Sequence, residues 1–294
     1  MKECYLYKTE GDYVQCQTCH HRCRIPPFKR GICGVRENQK GKLFLLVYGR
    51  VIAENIDPIE KKPLYHFMLG TKSLSIATVG CNLRCLWCQN FDISQCTKSN
   101  LDRTEITTSR GIEMEPEQIV QDAQKYQCPS ISYTYTEPTI FLEFALDTME
   151  LAQKKGLKNI WVSNGYMTLE ALDLITPYLD AINVDLKGFN EKNYLKFSGA
   201  RLQPVLDNIR EIHRRGIHLE VTTLIIPGIN DDEDELQNIV KFLAGVSKNI
   251  PWHISRFFPH HKMLEVPVTP LETLKKAQAL GKKAGLQYIH LGNV

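Results

Sequence analysis

Three cysteines of the 294-residue chain sit in Gly80-Cys81-Asn-Leu-Arg-Cys85-Leu-Trp-Cys88-Gln-Asn90, spaced Cys-x3-Cys-x2-Cys. Thiolates are soft ligands, and three on one short loop can each reach a different iron of a cubane cluster. Such clusters ordinarily take four cysteines, so three leave one iron open to the amine and carboxylate of a small molecule. The alternatives are a structural zinc that borrows Cys96 or a histidine, or buried free thiols. A second group, Cys16-x2-Cys19-x3-Cys23-x9-Cys33, places four thiols within 18 residues. Four suit tetrahedral zinc or a fully ligated iron–sulfur cluster, and His20 or His21 could replace one ligand. Spacing leaves zinc and cluster open. Either would stabilise a segment with little core of its own.

The remaining cysteines, Cys4, Cys96 and Cys128, stand apart. Hydrophobic residues make up 43% and charged residues 23%, enough for an ordinary core, so the thiols are not needed as disulfide staples. A net charge of +3 is too small to point to nucleic acid or an acidic membrane as partner. No apolar run approaches the roughly 20 residues that span a bilayer, and Met1-Lys-Glu-Cys-Tyr lacks the apolar stretch of a secretory signal. The expected location is the cytoplasm.

The elements that must position these residues follow a repeating pattern. Residues 1–70 read as a cysteine-rich extension with a metal site. Within it, extended runs at 43–48 and 51–56 meet at Gly49-Arg50 and suggest a hairpin, and Asp57-Pro-Ile-Glu-Lys-Lys-Pro-Leu-Tyr65 reads as a linker. From 71 to 294, apolar runs at 74–79, 131–135, 159–162, 181–184, 219–226, 252–257 and 288–291 alternate with helical patterns. The helices are expected at 117–126, 141–155, 169–179, 205–215, 232–243 and 270–283, with Pro116 suited to a first turn and Gly156 and Gly216 to C-caps. Strand–helix units in succession imply parallel strands with right-handed crossovers, hence an α/β barrel or a doubly wound sheet. Both place chemistry in loops beyond the C-terminal ends of strands. The cysteine loop, Thr136-Glu137-Pro138, Ser163-Asn164-Gly165, Asp185-Leu-Lys187, Pro227-Gly-Ile-Asn230 and Arg256 to His261 all fall there.

A Cys-x3-Cys-x-aromatic-Cys loop after the first strand of such a domain resembles the radical S-adenosylmethionine (radical SAM) superfamily. The resemblance covers about residues 72–292. It implies a partial (β/α)6 TIM-like barrel and a 4Fe–4S cluster on Cys81, Cys85 and Cys88. Its open iron would chelate S-adenosylmethionine, whose one-electron cleavage yields a 5′-deoxyadenosyl radical that abstracts hydrogen from substrate. Trp87 stands where the superfamily has an aromatic residue near the adenine. The chain is further similar to pyruvate formate-lyase activating enzymes. Within that group it resembles the radical SAM member of the AmmeMemoRadiSam system through Cys16-Gln-Thr-Cys19-His-His-Arg-Cys23, Gly31-Ile-Cys-Gly-Val-Arg-Glu-Asn38, Asp57-Pro-Ile-Glu-Lys-Lys-Pro63, Ala77-Thr-Val-Gly-Cys81, Tyr133-Thr-Tyr-Thr-Glu-Pro-Thr139, Leu224-Ile-Ile-Pro-Gly-Ile-Asn230 and Ser255-Arg-Phe257. Many members continue into a further cysteine-rich tail beyond the equivalent of Leu291-Gly-Asn-Val294.

The resemblance places Thr136 and Glu137 where a backbone carbonyl and an exposed carboxylate would accept hydrogen bonds from the ligand ammonium; a helix-start acid is the plainer role for Glu137. Ser163 and Asn164 suit ribose hydroxyls or a carboxylate, or an ordinary turn. Asp185 and Lys187 share one side of their strand. By resemblance Lys187 pairs with the ligand carboxylate and Asp185 orients it or helps hold a cation, against a simple rim salt bridge. Arg256 could meet the ligand or an acidic substrate, whereas His260 and His261 read as surface residues. The acidic run Asp231-Asp-Glu-Asp-Glu235 opens a helix and complements its dipole.

The expected function is therefore radical chemistry on a residue of a protein or peptide, or on a small molecule. The expected partners are S-adenosylmethionine, a reductant such as flavodoxin or ferredoxin, and a protein substrate or the companions of the system. A different class, an iron–sulfur electron carrier or a structural zinc protein, would not need a ligand pocket.

Overall fold

The seven apolar runs from residue 74 onward all become strands of one sheet. The computed structural model describes residues 1–98 and 111–294. The main-sheet strands are β1 (Ala53–Pro58), β2 (Lys72–Ala77), β3 (Ser130–Tyr133), β4 (Lys158–Ser163), β5 (Ala181–Asp185), β6 (His218–Ile225), β7 (Trp252–Arg256) and β8 (Ile289–Gly292). They lie side by side in the order β8-β7-β6-β5-β4-β3-β2-β1, parallel throughout except for β1, which runs antiparallel to β2. A doubly wound sheet reverses its order at a switch point. Here neighbours in sequence are neighbours in space without reversal, which is the partial barrel and removes the doubly wound alternative.

The crossovers are α1 (Pro116–Lys125), α2 (Leu142–Lys154), α3 (Leu169–Ile175), α4 (Glu191–Ser198), α5 (Gln203–Arg214), α6 (Glu233–Val246) and α7 (Leu271–Lys283). Pro116 opens α1, and Asp232 caps α6 by accepting from Glu235 N, as the sequence suggests. Helix α4 was not expected. It is a short piece capped by Asn190 and closed at Gly199 with φ +75°, too brief to show a clear period. Among the described residues no helix is long and apolar enough to cross a membrane.

The hairpin and the linker expected before residue 71 are both corrected. The run at 43–48 contributes Lys42–Leu45, which pairs with Arg36–Gln39 through Lys40-Gly41, where both residues have positive φ (53° and 84°), as tight hairpins require. The run at 51–56 instead contributes β1, the antiparallel edge of the main sheet. The expectation failed because an apolar run says that a strand is buried and not which strand it pairs with. Nor is the segment after β1 a free linker: Asp57 is buried, and Lys62 Nζ donates to its Oδ2 at 2.6 Å.

The extension docks on α2 and α3. Arg36 forks onto Glu143 with Nη1–Oε1 3.0 Å and Nη2–Oε2 2.7 Å, both side chains almost fully buried, while Arg36 Nε donates to Ile140 O. Arg22 pairs with Glu170 at 2.9 Å, and His20 N donates to Tyr166 O at 3.0 Å. Elsewhere, buried Glu220 of β6 accepts from Tyr65 N, His66 N and the rings of His218 and His253. Burial pushes its carboxyl up, but these four donors outweigh it and hold it down at about 2.

Two outcomes are expected. Glu143→Ala leaves a buried guanidinium unpaired and lowers unfolding free energy by about 3–5 kcal/mol, whereas the double replacement by leucine costs far less; urea titration of the three proteins checks this. Because the folded value of Glu220 lies below its ordinary 4.5, its contribution is fully present above about pH 4.5 and is lost as pH falls toward 2. Glu220→Gln should flatten the acid limb of the stability profile, and an unchanged limb would contradict this role.

Candidate active site

The cysteine loop leaves the C-terminal end of β2 and is fixed from three sides. Arg84 N donates to Ser198 O at 2.8 Å, Leu86 N to Phe197 O at 3.0 Å, and Lys262 N to Leu86 O at 3.0 Å. The last turn of α4 and the loop after β7 thus hold its backbone. Gly80 enters it with φ +100°, and a Cβ there would stand 3.0 Å from Cys33 O and 2.8 Å from Val35 Cγ1, so only glycine fits. Cys81 and Cys85 are buried and Cys88 is half-buried. Cys81 Sγ accepts from Leu83 N at 3.4 Å, and Cys88 Sγ lies 3.1 Å from Ser94 Oγ.

All three thiols face one cavity of about 570 Å³ at the C-terminal mouth of the sheet. Trp87, Thr136, Ser163, Asn164, Asp185 and Lys187 line it too, so the structure brings together six of the eight ligand residues expected from sequence. Asn164 Nδ2 donates to Asn82 Oδ1 at 2.7 Å and approaches Cys81 Sγ at 3.9 Å. Thr136 Oγ1 donates to Thr78 O. Lys187 Nζ meets Asp185 Oδ2 at 2.8 Å. Burial lowers the lysine's pKa, but Asp185, Cys85 and Tyr194 more than reverse this, so the ammonium stays charged. Burial raises the Cys85 thiol, against the pull of Lys187.

Two expectations are corrected. Glu137 is neither exposed nor part of the lining; it is fully buried. Its Oε1 accepts from Thr139 N, Thr139 Oγ1 and Ser163 Oγ, and its Oε2 from Asn164 N at 2.8 Å. The carboxylate ties the end of β3 to the end of β4 and sets the Ser163-Asn164 turn. Burial raises its pKa, partly offset by these donors. Arg256 is likewise not among the lining residues. Its Nε donates to Thr269 O at 2.8 Å and its guanidinium lies 5.4 Å from the Phe258 ring centre, while strand alternation puts Ser255 in the lining instead. His260 meets Gln89 O, and His261 stacks on Phe91.

Sequence reasoning missed Lys61, Lys62, Tyr135, Thr222 and Asn293, all in the lining. Lys62 lies 4.5 Å from the ring centre of Tyr135, whose hydroxyl donates to Asp57. Tyr135 adopts φ +60°, an uncommon left-handed conformation for a non-glycine residue. The doubled lysine between prolines in Asp57-Pro-Ile-Glu-Lys-Lys-Pro63 was the available signal.

The four N-terminal cysteines Cys16, Cys19, Cys23 and Cys33 line a second, much smaller cavity of about 20 Å³ with His21 and Arg36. Burial pushes the thiols of Cys19, Cys23 and Cys33 up, and the neighbouring sulfurs add to it. Among the described residues no group of three or more His, Cys, Asp or Glu side chains is placed to hold a single metal ion as it stands.

A thiol triplet on the first barrel loop, facing a polar cavity at the strand ends, defines a cofactor-dependent barrel enzyme. The radical SAM superfamily model matches residues 75–243, and the chain belongs to that superfamily, whose members use a 4Fe–4S cluster and S-adenosylmethionine. It is 43% identical to the uncharacterized protein MJ0808 of Methanocaldococcus jannaschii across all of this chain and 86% of that one. It is 26% identical to the putative glycyl-radical enzyme activating enzyme MJ1632 of the same organism over 74% of this chain and 80% of that one. In fold it is similar to Streptococcus suis SuiB bound to precursor peptide SuiA, with TM-score 0.56 and 12% identity over 80% of this chain and 51% of that one.

The donor set fits these cofactors. Among the described residues the lining supplies three thiols and no fourth cysteine, so a four-iron cluster held there would keep one iron free for a ligand. Thr222 Oγ1, also in the lining, is buried with no hydrogen-bond partner among the described residues and is available to a bound molecule. Glu137→Gln, which puts an amide among four donors, should weaken S-adenosylmethionine binding about tenfold or more while leaving the iron content unchanged. Equilibrium dialysis with paired iron analysis measures this, and unaltered binding would remove the positioning role.

Proposed function

We propose that Cys81, Cys85 and Cys88 hold the 4Fe–4S cluster and that the chain abstracts a hydrogen atom from a residue of a protein or peptide partner. The carrying observation is the convergence of the three thiols with the Asp185–Lys187 pair on one cavity. When bound, the cluster and S-adenosylmethionine supply one-electron cleavage of the sulfonium and a 5′-deoxyadenosyl radical. The chain's part is to hold and orient. Lys187 offers a charged ammonium to a carboxylate, with Asp185 fixing its direction. The Ser163-Asn164 turn and Thr222 offer further hydrogen bonds to the ligand. Leu83, Trp87, Val162 and Leu224 give the lining its apolar part and keep water from the reacting atoms.

A macromolecular substrate is supported by a further cavity of about 700 Å³ beside the cysteine loop, lined by Arg84, Leu86, Leu195, Lys196 and Lys262 among others. The name of MJ1632 points to the same substrate class. The alternative is a small molecule, for which the 570 Å³ cavity lies within the usual size range. The electron would come from a low-potential donor of the flavodoxin or ferredoxin class.

Anaerobic reconstitution followed by dithionite and S-adenosylmethionine should yield 5′-deoxyadenosine. Cys85→Ala should abolish it, Lys187→Ala should lower it by about a hundredfold through lost ligand placement, and Cys128→Ala should leave it unchanged. Full activity in Cys85→Ala sinks the assignment. Faster turnover on adding a companion protein favours the protein substrate; turnover stimulated only by small metabolite fractions favours the alternative.

A further inference from the structure

Helix α4 ends against the cysteine loop, and it brings more than backbone carbonyls. Ser198 O accepts from Arg84 N at 2.8 Å and Phe197 O from Leu86 N at 3.0 Å, so the last turn of α4 grips the loop on both sides of Cys85. Ser198 and Cys85 are both buried. Tyr194 precedes Ser198 by four residues, so it lies one turn earlier on the same face of the helix, and it is buried as well. The hydroxyls of Ser198 and Tyr194 have no hydrogen-bond partner among the described residues. Buried polar groups are nearly always paired, and an unpaired one costs stability. Two on one helical face, at the residue that the loop presses against α4, point to an acceptor that this wall is built to meet.

The Cys85 sulfur has the right chemistry for that acceptor. Burial raises its thiol; Lys187 draws it back, and so does the Ser198 hydroxyl, which lies beside it without a well-aligned hydrogen bond. Burial raises Tyr194 too, and both Lys187 and Cys85 are near enough to act on it. A thiol is a weak acceptor, whereas a thiolate that ligates iron carries negative charge and accepts far better. The sulfurs carry still more charge after a cluster has taken up one electron, so a hydroxyl donating to one of them favours the reduced form.

We propose that the Ser198 and Tyr194 hydroxyls of α4 donate hydrogen bonds to the Cys85 thiolate in the cluster-bearing protein and thereby raise the reduction potential of the cluster. The proposal rests on the cluster assignment made for Cys81, Cys85 and Cys88. Both are positioning residues that act through the ligand sulfur. They set how readily the cluster accepts one electron from its low-potential donor.

The test is a potentiometric titration of the anaerobically reconstituted full chain, with iron counted in every sample. The cluster is followed by electron paramagnetic resonance, as the signal that changes when S-adenosylmethionine is added. Ser198→Ala removes the hydroxyl and keeps the carbonyl that holds Arg84 N; Tyr194→Phe removes the hydroxyl and keeps the ring. Each variant is expected to retain the iron of the unsubstituted protein. Each should lower the equilibrium constant for reduction about tenfold, a fall of about 59 mV for a one-electron couple. A merely structural role would change the melting temperature or the iron content and leave the potential of the retained cluster where it was. Retained iron at an unchanged or raised potential overturns the role of the hydroxyl removed. Loss of iron from a folded Ser198→Ala protein also overturns the proposal, because the hydroxyl would then hold the cluster in place and not tune it. Unchanged potentials with 5′-deoxyadenosine formed would sink this proposal and spare the radical reading; lowered potentials without 5′-deoxyadenosine from the unsubstituted protein would do the reverse.

Discussion

The structure depends on holding a short loop of three thiols rigid chiefly through its backbone and its neighbours. Thiols that are to hold a cluster, as proposed, contribute little to fixing their own backbone, so most of the restraint has to come from elsewhere. It comes from carbonyls at the end of α4, from the loop after β7, and from the tight passage at Gly80. Each contact is an ordinary hydrogen bond or close packing, worth about 1 kcal/mol singly. Together they draw the loop against elements more than a hundred residues away, so the site forms only when the barrel has curled.

The same logic runs through Glu137. A carboxylate in a ligand pocket would have to trade partners whenever ligand arrived or left. Buried among Thr139, Ser163 and Asn164, it has constant partners and makes the ends of two adjacent strands one unit. The ion pair of Asp185 and Lys187 is placed differently, at the wall of the cavity and partly open, where a bound carboxylate can join it. One charged group positions the wall; the other two face the cavity.

The N-terminal extension is part of this wall. Arg36 anchors it to Glu143 of α2, just beyond the turn after β3 that carries Glu137, and His21 and Cys33 touch the residues on either side of Cys81. β1 carries the chain from the extension into the sheet itself and, through Asp57, fixes Lys62 and Tyr135 at the cavity rim. Extension and barrel therefore share one mouth.

The strands, most helices and the cysteine triplet were readable because each is a local matter: period, capping residue and spacing are properties of neighbouring residues. Period-two alternation likewise put Asp185, the last residue of β5, and Lys187, two residues beyond it, on one side of the chain. What lay beyond reach was pairing at a distance. Extended runs at 43–48 and 51–56 look like mutual partners, yet each finds a better-matched strand elsewhere. Arg256 and Glu137 sit at strand ends where a ligand contact is plausible by position, and their actual partners, Thr269 O and the Ser163-Asn164 turn, are fixed by how loops pack across the mouth. The residue types and their spacing set which chemistry the chain can perform; the curl of the sheet sets which side chains face it, because burial and hydrogen-bond satisfaction are settled between segments that the linear order keeps apart.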